Sequence, residues 1–396
     1  MSERLDEGFF ADPHAYYRQW RQEGPVRCVD FGDGLNRWLV FGYTEGRALL
    51  TDPRLCKDID YLSKLVPDKR GAPQPYSPPD PGMRHMLNFD APDHTRLRKV
   101  VSKAFTARRI AALRPLIERT ADELLTGMAA ADEVDLLDAF AVPLPVAVIC
   151  DLLDVAIDDH EAFREWTKIL VGSLTPEADR ARAGYEMVEF LRKMLQHKRS
   201  HPGDDLLSIL VADDEARLDE SELIGMALLL LVAGHETTVN LIGNGTLALL
   251  RDRARWDRLR ADPAAIPAAI EEFLRLDGPV NLATTRYTTE PIAVGDTVIP
   301  AGELVYIALA AANRDPDQYP APADFAPEQN HTAHLAFGHG IHFCLGAPLA
   351  RLEGAIAFTA LLERYPNLHL AVPESELRWY PNPIIRGLAA LPVRLH

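Results

Sequence analysis

The chain has 396 residues, a formal net charge of −16, 47% hydrophobic residues and 25% charged residues. That balance is ordinary for a globular protein with a core large enough to enclose a cofactor, and the negative charge speaks against a general affinity for nucleic acid or anionic membranes. Four cysteines, Cys28, Cys56, Cys150 and Cys344, stand far apart with no CxxC pair. This argues against a disulfide framework and suits a reducing cytoplasm.

The opening stretch MSERLDEGFFADPHAYY has neither a basic start nor an apolar run, so neither a signal or transit peptide nor a membrane anchor is expected. Apolar residues at helical spacing then predict helices over 12–23, 44–51, 93–105, 107–130, 141–153, 158–172, 179–199, 219–252, 265–276 and 345–364. Strand signals are short and lie at the two ends: VRCVDF and RWLVFG early, EPIAVGDTVIPAGELVYIAL and LHLAV late, with a hairpin turn at Gly295–Asp296. The Pro-rich stretch GAPQPYSPPDPG, 71–82, reads as an irregular loop of the kind that often serves as a lid or binding loop. No second composition shift marks a linker, and there is no internal repeat. One mainly α domain over 1–396, with small β pieces, is expected.

Two segments depart from the average. HTRLRKVVSKAFTARRI, from His94, carries Arg96, Arg98, Lys99, Lys103, Arg108 and Arg109 and no acid, so it is either a solvated face or a seat for an acidic partner or a buried anion. The predicted helix 219–252 opens with Asp219 and Glu222 in a capping-box spacing and is apolar on all faces through LIGMALLLLVAG. His235, Glu236, Thr237 and Thr238 follow, and the apolar pattern then resumes. Unpaired polar burial costs a few kcal/mol, so a polar island in mid-helix points to a site that holds water and handles protons.

The third feature is Cys344, in HLAFGHGIHFCLGAPLARLE. His331, His334, His339 and His342 lie nearby, but in irregular segments with no second cysteine, which disfavours zinc. His342 stands at i, i+2 on an extended segment and points away from Cys344, which disfavours a nucleophile–base pair. A buried structural thiol would leave the glycines unexplained. A thiolate on haem iron accounts for more. Gly338, Gly340 and Gly346 let the backbone approach a flat macrocycle, and Phe337 can pack on the sulfur side. A following helix N-terminus favours negative charge on the sulfur. Haem also brings two carboxylates. His94 and Arg98 share one helix face at i, i+4, and Arg286 and His342 are further cations for them.

These residues carry a family pattern. Phe337, Gly340, Cys344 and Gly346 meet F-x-x-G-x-x-x-C-x-G; Ala233, Gly234, Glu236 and Thr237 meet A-G-x-[DE]-T; Glu272 and Arg275 meet E-x-x-R. In this order and spacing the three motifs are highly specific, and the chain resembles a bacterial cytochrome P-450, a haem-thiolate monooxygenase, over essentially its whole length. The resemblance is closest to actinobacterial members that tailor polyketides and macrolides. It implies a mainly α fold, one large helical domain with small peripheral sheets, holding haem b (iron protoporphyrin IX) through Cys344.

Further roles follow by similarity. Glu236 and Thr237 would relay protons, and His94, Arg98, Ala233, Arg286, Phe337, Gly338, His342 and Gly346 would surround the haem. Glu272 and Arg275 would brace the cysteine loop. In the family a third, basic residue joins that pair; here the corresponding position reads Gln329, which implies a triad reduced to a pair. Leu229, Val232, Ala233, Val280, Leu282, Ile384 and Ile385, with the stretch about 76–88 and the 170–180 turn, would contact an apolar or amphipathic small molecule. Outward charges of 96–109, Arg96 and Lys99 among them, would receive an acidic ferredoxin fed by a ferredoxin reductase. A cytoplasmic monomer is implied. A haem-thiolate sensor or carrier without turnover shares Cys344 but has no need of Glu236 and Thr237. A zinc hydrolase built on the histidines is a third class.

Overall fold

Helices α1 (Pro13–Trp20), α2 (Ile59–Lys69), α3 (Asp93–Ser102), α4 (Arg114–Met128), α5 (Pro143–Leu153), α6 (Glu177–Ser200), α7 (Glu220–Leu250), α8 (Ile266–Asp277) and α9 (Ala347–Arg364) form the frame. They are seen in a computed structural model that describes residues 3–69, 80–155, 162, 165, 166, 169, 176–212, 217–329 and 331–396. Most of the predicted helix 158–172, of the Pro-rich loop and of the 170–180 turn lies outside the described residues.

Local chemistry sets the helix ends. Asp12 caps α1 by accepting from the Ala15 N–H, and Pro13 fills the first helical position, where no donor is needed. The predicted helix 107–130 is two helices. Thr106 caps Ala107–Ala112, and Pro115, which has no N–H to give to the preceding turn, starts α4 afresh. Helices α2 and Arg253–Ala261 escaped the periodicity reading. The second buries only Trp256 and Leu259, so its apolar stripe is too thin to read.

Helix α7 is the axis of the molecule. At 1.5 Å per residue its 31 residues span about 45 Å. Asp219 accepts from the Glu222 N–H while Glu222 reaches back to the Asp219 N–H, the capping box read from the sequence. By length and composition α7 would cross a bilayer, but here it is a core helix packed by α5, α6, α8 and α9. Gly245 admits the rings of Phe273 and Phe358 from α8 and α9, where a Cβ would lie 2.5 Å from Phe358. Truncating such a core ring costs about 3–5 kcal/mol.

The β pieces are peripheral. A six-stranded sheet runs in the order Glu3–Arg4, Val26–Asp30, Asn36–Val40, Leu304–Ile307, Arg286–Thr288, Leu55–Cys56. A three-stranded sheet joins His369–Leu370, Pro392–Arg394 and Glu133–Asp135. The predicted hairpin is present: Ile292–Val294 pairs with Thr297–Ile299 through Gly295, whose φ of +57° suits glycine. Mainly helical packing with small sheets is therefore the observed architecture.

Candidate active site

Cys344 lies on a loop whose shape is set by backbone bonds. The Cys344 N–H donates to the Phe337 carbonyl at 2.9 Å, and the Gly338 N–H donates to the Leu335 carbonyl at 2.8 Å. Gly338 and Gly340 sit at φ of +71° and +74°, which disfavours any other residue there. Gly340 does not make room for a macrocycle as expected from the sequence. A Cβ there would press on Thr51 and the Leu50 carbonyl, so this glycine lets the loop pack on the protein. Helix α9 starts three residues beyond Cys344. Burial pushes the thiol pKa up, while the N–H groups of Gly346 and Ala347 and the charges of Arg98 and Arg351 pull it down. The sulfur thus has the helix-end donors predicted for it.

Phe337 is covered by a second charge network. The Arg351 guanidinium lies 4.5 Å from its ring centroid and is held by Glu271 at 2.6 and 2.7 Å; His334 also bonds Glu271, at 3.1 Å. Burial would raise the Glu271 pKa, but these partners win and hold it at about 2. His331 is engaged elsewhere, so the histidines do not converge as a zinc site would require.

The brace differs from expectation. Glu272 and Arg275, 1% and 0% exposed, form a bidentate pair at 2.7 Å. The Arg275 guanidinium also donates to the carbonyls of Asn313, Pro322 and Asp324, tying α8 to the segment before the cysteine loop. The triad is not reduced to a pair. His331 Nδ1 lies 3.1 Å from Glu272 and takes the third place, while Gln329 is exposed in a short 3₁₀ turn. A count along the sequence gave the wrong residue because the loop shifts the basic side chain by two positions.

Helix α7 carries the polar island to this end of the molecule. It crosses α9 where Thr238 bonds Glu353 and Leu241 abuts Gly354. On a mostly buried helix, Leu229, Val232, Ala233, Glu236 and Thr237 keep accessible surface, and Ala233 is exposed. They fall on one face at helical spacing, so this face is left open while the rest of the helix packs. Thr237 donates to the Ala233 carbonyl at 3.0 Å, and Asn240 holds Glu236 through the Glu236 carbonyl at 2.8 Å and Oε1 at 3.4 Å. Burial raises the Glu236 pKa, which makes it easier to protonate than an ordinary glutamate. Gly82 and Gly225 let 80–88 sit directly on α7; a Cβ on Gly225 would meet the Arg84 carbonyl at 2.4 Å.

Val280 and Ile385 are brought together by a β-bridge, and Ile384 accepts from the Asn281 N–H at 2.8 Å. Leu282 is different. It is 0% exposed and packs among Phe9, Tyr17, Trp20 and Leu39, so it offers no surface to a ligand. One residue's alternation on an extended segment turned it into the core.

The remaining predicted residues form a basic nest. The His94 and His342 rings meet edge-on at 4.4 Å, with both nitrogens of His94 and Nε2 of His342 buried and unpartnered. Arg286, 3% exposed, donates to the Thr284 carbonyl, and Arg98 donates to the Phe343 carbonyl at 2.6 Å. Lys57, which the sequence gave no reason to single out, joins them: it is 1% exposed and its Nζ lies 2.6 Å from Thr284 Oγ1. Burial drives the pKa values of His342, Arg286 and Lys57 down, and neighbouring cations add to this for His342 and Lys57. Buried donors left unpaired beside crowded cations fit a group that carries two carboxylates, as haem b does.

The family model for cytochrome P450 matches residues 160–377. The chain is 49% identical over 395 residues to cytochrome P450 107B1 of Saccharopolyspora erythraea, covering 98% of this chain and 96% of that one. It is 47% identical to cytochrome P450 monooxygenase PikC of Streptomyces venezuelae, covering 98% and 92%. The solved structure of P450 monooxygenase TamI bound to tirandamycin C superposes with a TM-score of 0.90 at 46% identity, covering all of both chains. The chain belongs to the cytochrome P450 family. It is accordingly an oxidoreductase of the monooxygenase type, and members of this family bind haem b through a cysteine thiolate.

Proposed function

We propose that this protein takes two electrons from ferredoxin, supplied by a ferredoxin reductase, and inserts one oxygen atom of O2 into an apolar or amphipathic small molecule. The other oxygen leaves as water, with two protons consumed, and the product is an alcohol or epoxide. The substrate is a secondary metabolite of the polyketide or macrolide type. Two relatives support that class by name: 6-deoxyerythronolide B hydroxylase, 41% identical, and polyketide biosynthesis cytochrome P450 PksS, 39% identical. We place the reaction in the cytoplasm, in a single-domain monomer.

Haem bound through Cys344 supplies dioxygen activation. The chain's own residues do the rest. Glu236, easier to protonate than usual and steered by Asn240, hands protons toward the Thr237 hydroxyl. Leu229, Val232, Ala233, Val280, Ile384 and Ile385 exclude water and orient the substrate. Arg98 and Arg286 would neutralise the haem carboxylates, His94 and His342 would donate hydrogen bonds to them, and Phe337, Gly338 and Gly346 would shape the sulfur's surroundings. Glu272, Arg275 and His331 keep the cysteine loop in place.

The observation that carries this reading is the accessible face of α7, on which Glu236 and Thr237 stand side by side beside the apolar Leu229, Val232 and Ala233. A carrier without turnover has no use for an acid and a hydroxyl there. The test is purified protein with surrogate ferredoxin partners. A red preparation, a far-red-shifted reduced CO band and substrate-dependent NADPH use are expected across a macrolide and polyketide panel. The band without any turnover would favour the carrier.

A further inference from the structure

The buried lysine in the basic nest, Lys57, feels the charge of Asp90 but forms no ion pair among the described residues. Lys57 precedes α2, and its backbone is fixed by Asp90, whose Oδ2 accepts from the N–H groups of Lys57 and Asp58 at 2.8 and 3.2 Å. Its ammonium has three donors, and among the described residues only Thr284 Oγ1 is bonded to one of them. No carboxylate forms an ion pair with Lys57 or Arg286 among the described residues, although both are almost fully buried. Thr284 serves both: its hydroxyl takes the Lys57 Nζ and its carbonyl takes the Arg286 guanidinium. A methionine would fill the same space without burying a charge. An isolated ammonium removed from water is costly, and it persists where a counter-ion arrives.

We infer that Lys57, positioned by Thr284, is a further anchor for a carboxylate of the bound haem, acting together with Arg286. The inference rests on the haem-thiolate reading above. It adds a direct tie between the cofactor and the segment that leads through α2 toward the Pro-rich stretch. Its chemistry is that of a point charge: the ammonium neutralises one carboxylate and donates the bonds its neighbours leave open.

The test uses the haem-loaded protein. Haem release to excess apomyoglobin and the midpoint potential are measured for wild type, Lys57→Met and Lys57→Arg. Lys57→Met should release haem about tenfold faster, the scale on which outer partners hold a metal centre. Its midpoint potential should fall, because a positive charge near the iron is gone. Lys57→Arg, which keeps the charge, should restore both. A Lys57→Met protein that keeps the wild-type release rate and potential overturns the inference. If Lys57→Met fails to accumulate folded, Thr284→Val is read instead: faster release supports the inference and an unchanged rate overturns it. The wild-type CO band separates the two readings. Its absence defeats the haem-thiolate assignment itself, whereas a normal band with unchanged variants defeats only the role of Lys57.

Discussion

Single side chains in this molecule show how burial decides charge. Glu353 is 1% exposed, bonds Thr238, and leaves Oε2 without a partner among the described residues. Desolvation raises its pKa from 4.5 to about 8. The folded state therefore keeps a proton that the unfolded chain gives up above pH 4.5, and stability falls as pH rises from there to about 8. Glu353→Gln removes this penalty while keeping shape and the bond to Thr238. Thermal unfolding should show the variant gaining about 2 kcal/mol at pH 7.5 and little at pH 4.5. An equal gain at both pH values would contradict a neutral Glu353. Glu272 has the opposite sign. Burial raises its pKa, but Arg275, the Ala326 N–H and His331 outweigh that and hold it low. Its contribution is present above pH 4.5 and is lost as acid protonates it. His331→Ala should thus shorten haem retention, by about 1–3 kcal/mol of lost brace. Gln329→Arg, at an exposed site, should stay within about 0.5 kcal/mol of wild type. Haem loss on thermal unfolding, measured for both, separates the two positions.

At the scale of elements, α7 does two jobs that its sequence already displayed. The apolar run makes it the core axis, and within the polar island Glu236 and Thr237 keep accessible surface while His235 and Thr238 are buried. Leu229, Ala233, Glu236 and Thr237 follow one another at spacings of four, three and one residues, which is why this accessible face was readable from the sequence. Ala233 is its narrowest side chain. Ala233→Phe should weaken substrate binding at least tenfold, read as loss of the substrate-induced spectral shift, while the reduced CO band persists. A variant that binds as wild type would move the substrate path off this face. The cysteine loop was equally legible, because glycines at positive φ and a helix start leave marks in sequence. Three features were not. His331 replaces Gln329 in the brace because loop geometry, not spacing, decides which side chain reaches Glu272. Leu282 turned into the core because periodicity on a short extended segment does not say which face is wet. Lys57 was invisible, since a lysine before a helix reads as surface until three distant segments close over it.

Over the whole molecule, a net charge of −16 coexists with a basic segment around α3. Not all of that segment is available to a partner. Arg96, which the sequence offered as an outward charge, is tied to Glu222 at the start of α7 and to Asp93. Arg98 faces the cysteine loop, and Arg109 donates to the Asp204 carbonyl. Arg108 is exposed, Lys99 is exposed while engaged with a neighbour, and Ile341 and Phe343, 50% and 41% exposed, precede the cysteine. An apolar centre with a basic rim suits an acidic electron donor, because rim charges steer encounter while the centre is desolvated. In an acidic protein such a rim must overcome the repulsion of the remaining surface, so its effect is strong only within about 10 Å at 0.1 M salt. Lys99→Glu with Arg108→Glu should therefore raise the ferredoxin KM about 3–10-fold at low ionic strength, leave substrate binding unchanged, and flatten the salt dependence of turnover. A double variant with the wild-type KM and salt profile would place the electron donor on another face. The Arg96→Glu variant is the control: it breaks the tie to α7, so its cost should appear in thermal stability rather than in the salt profile.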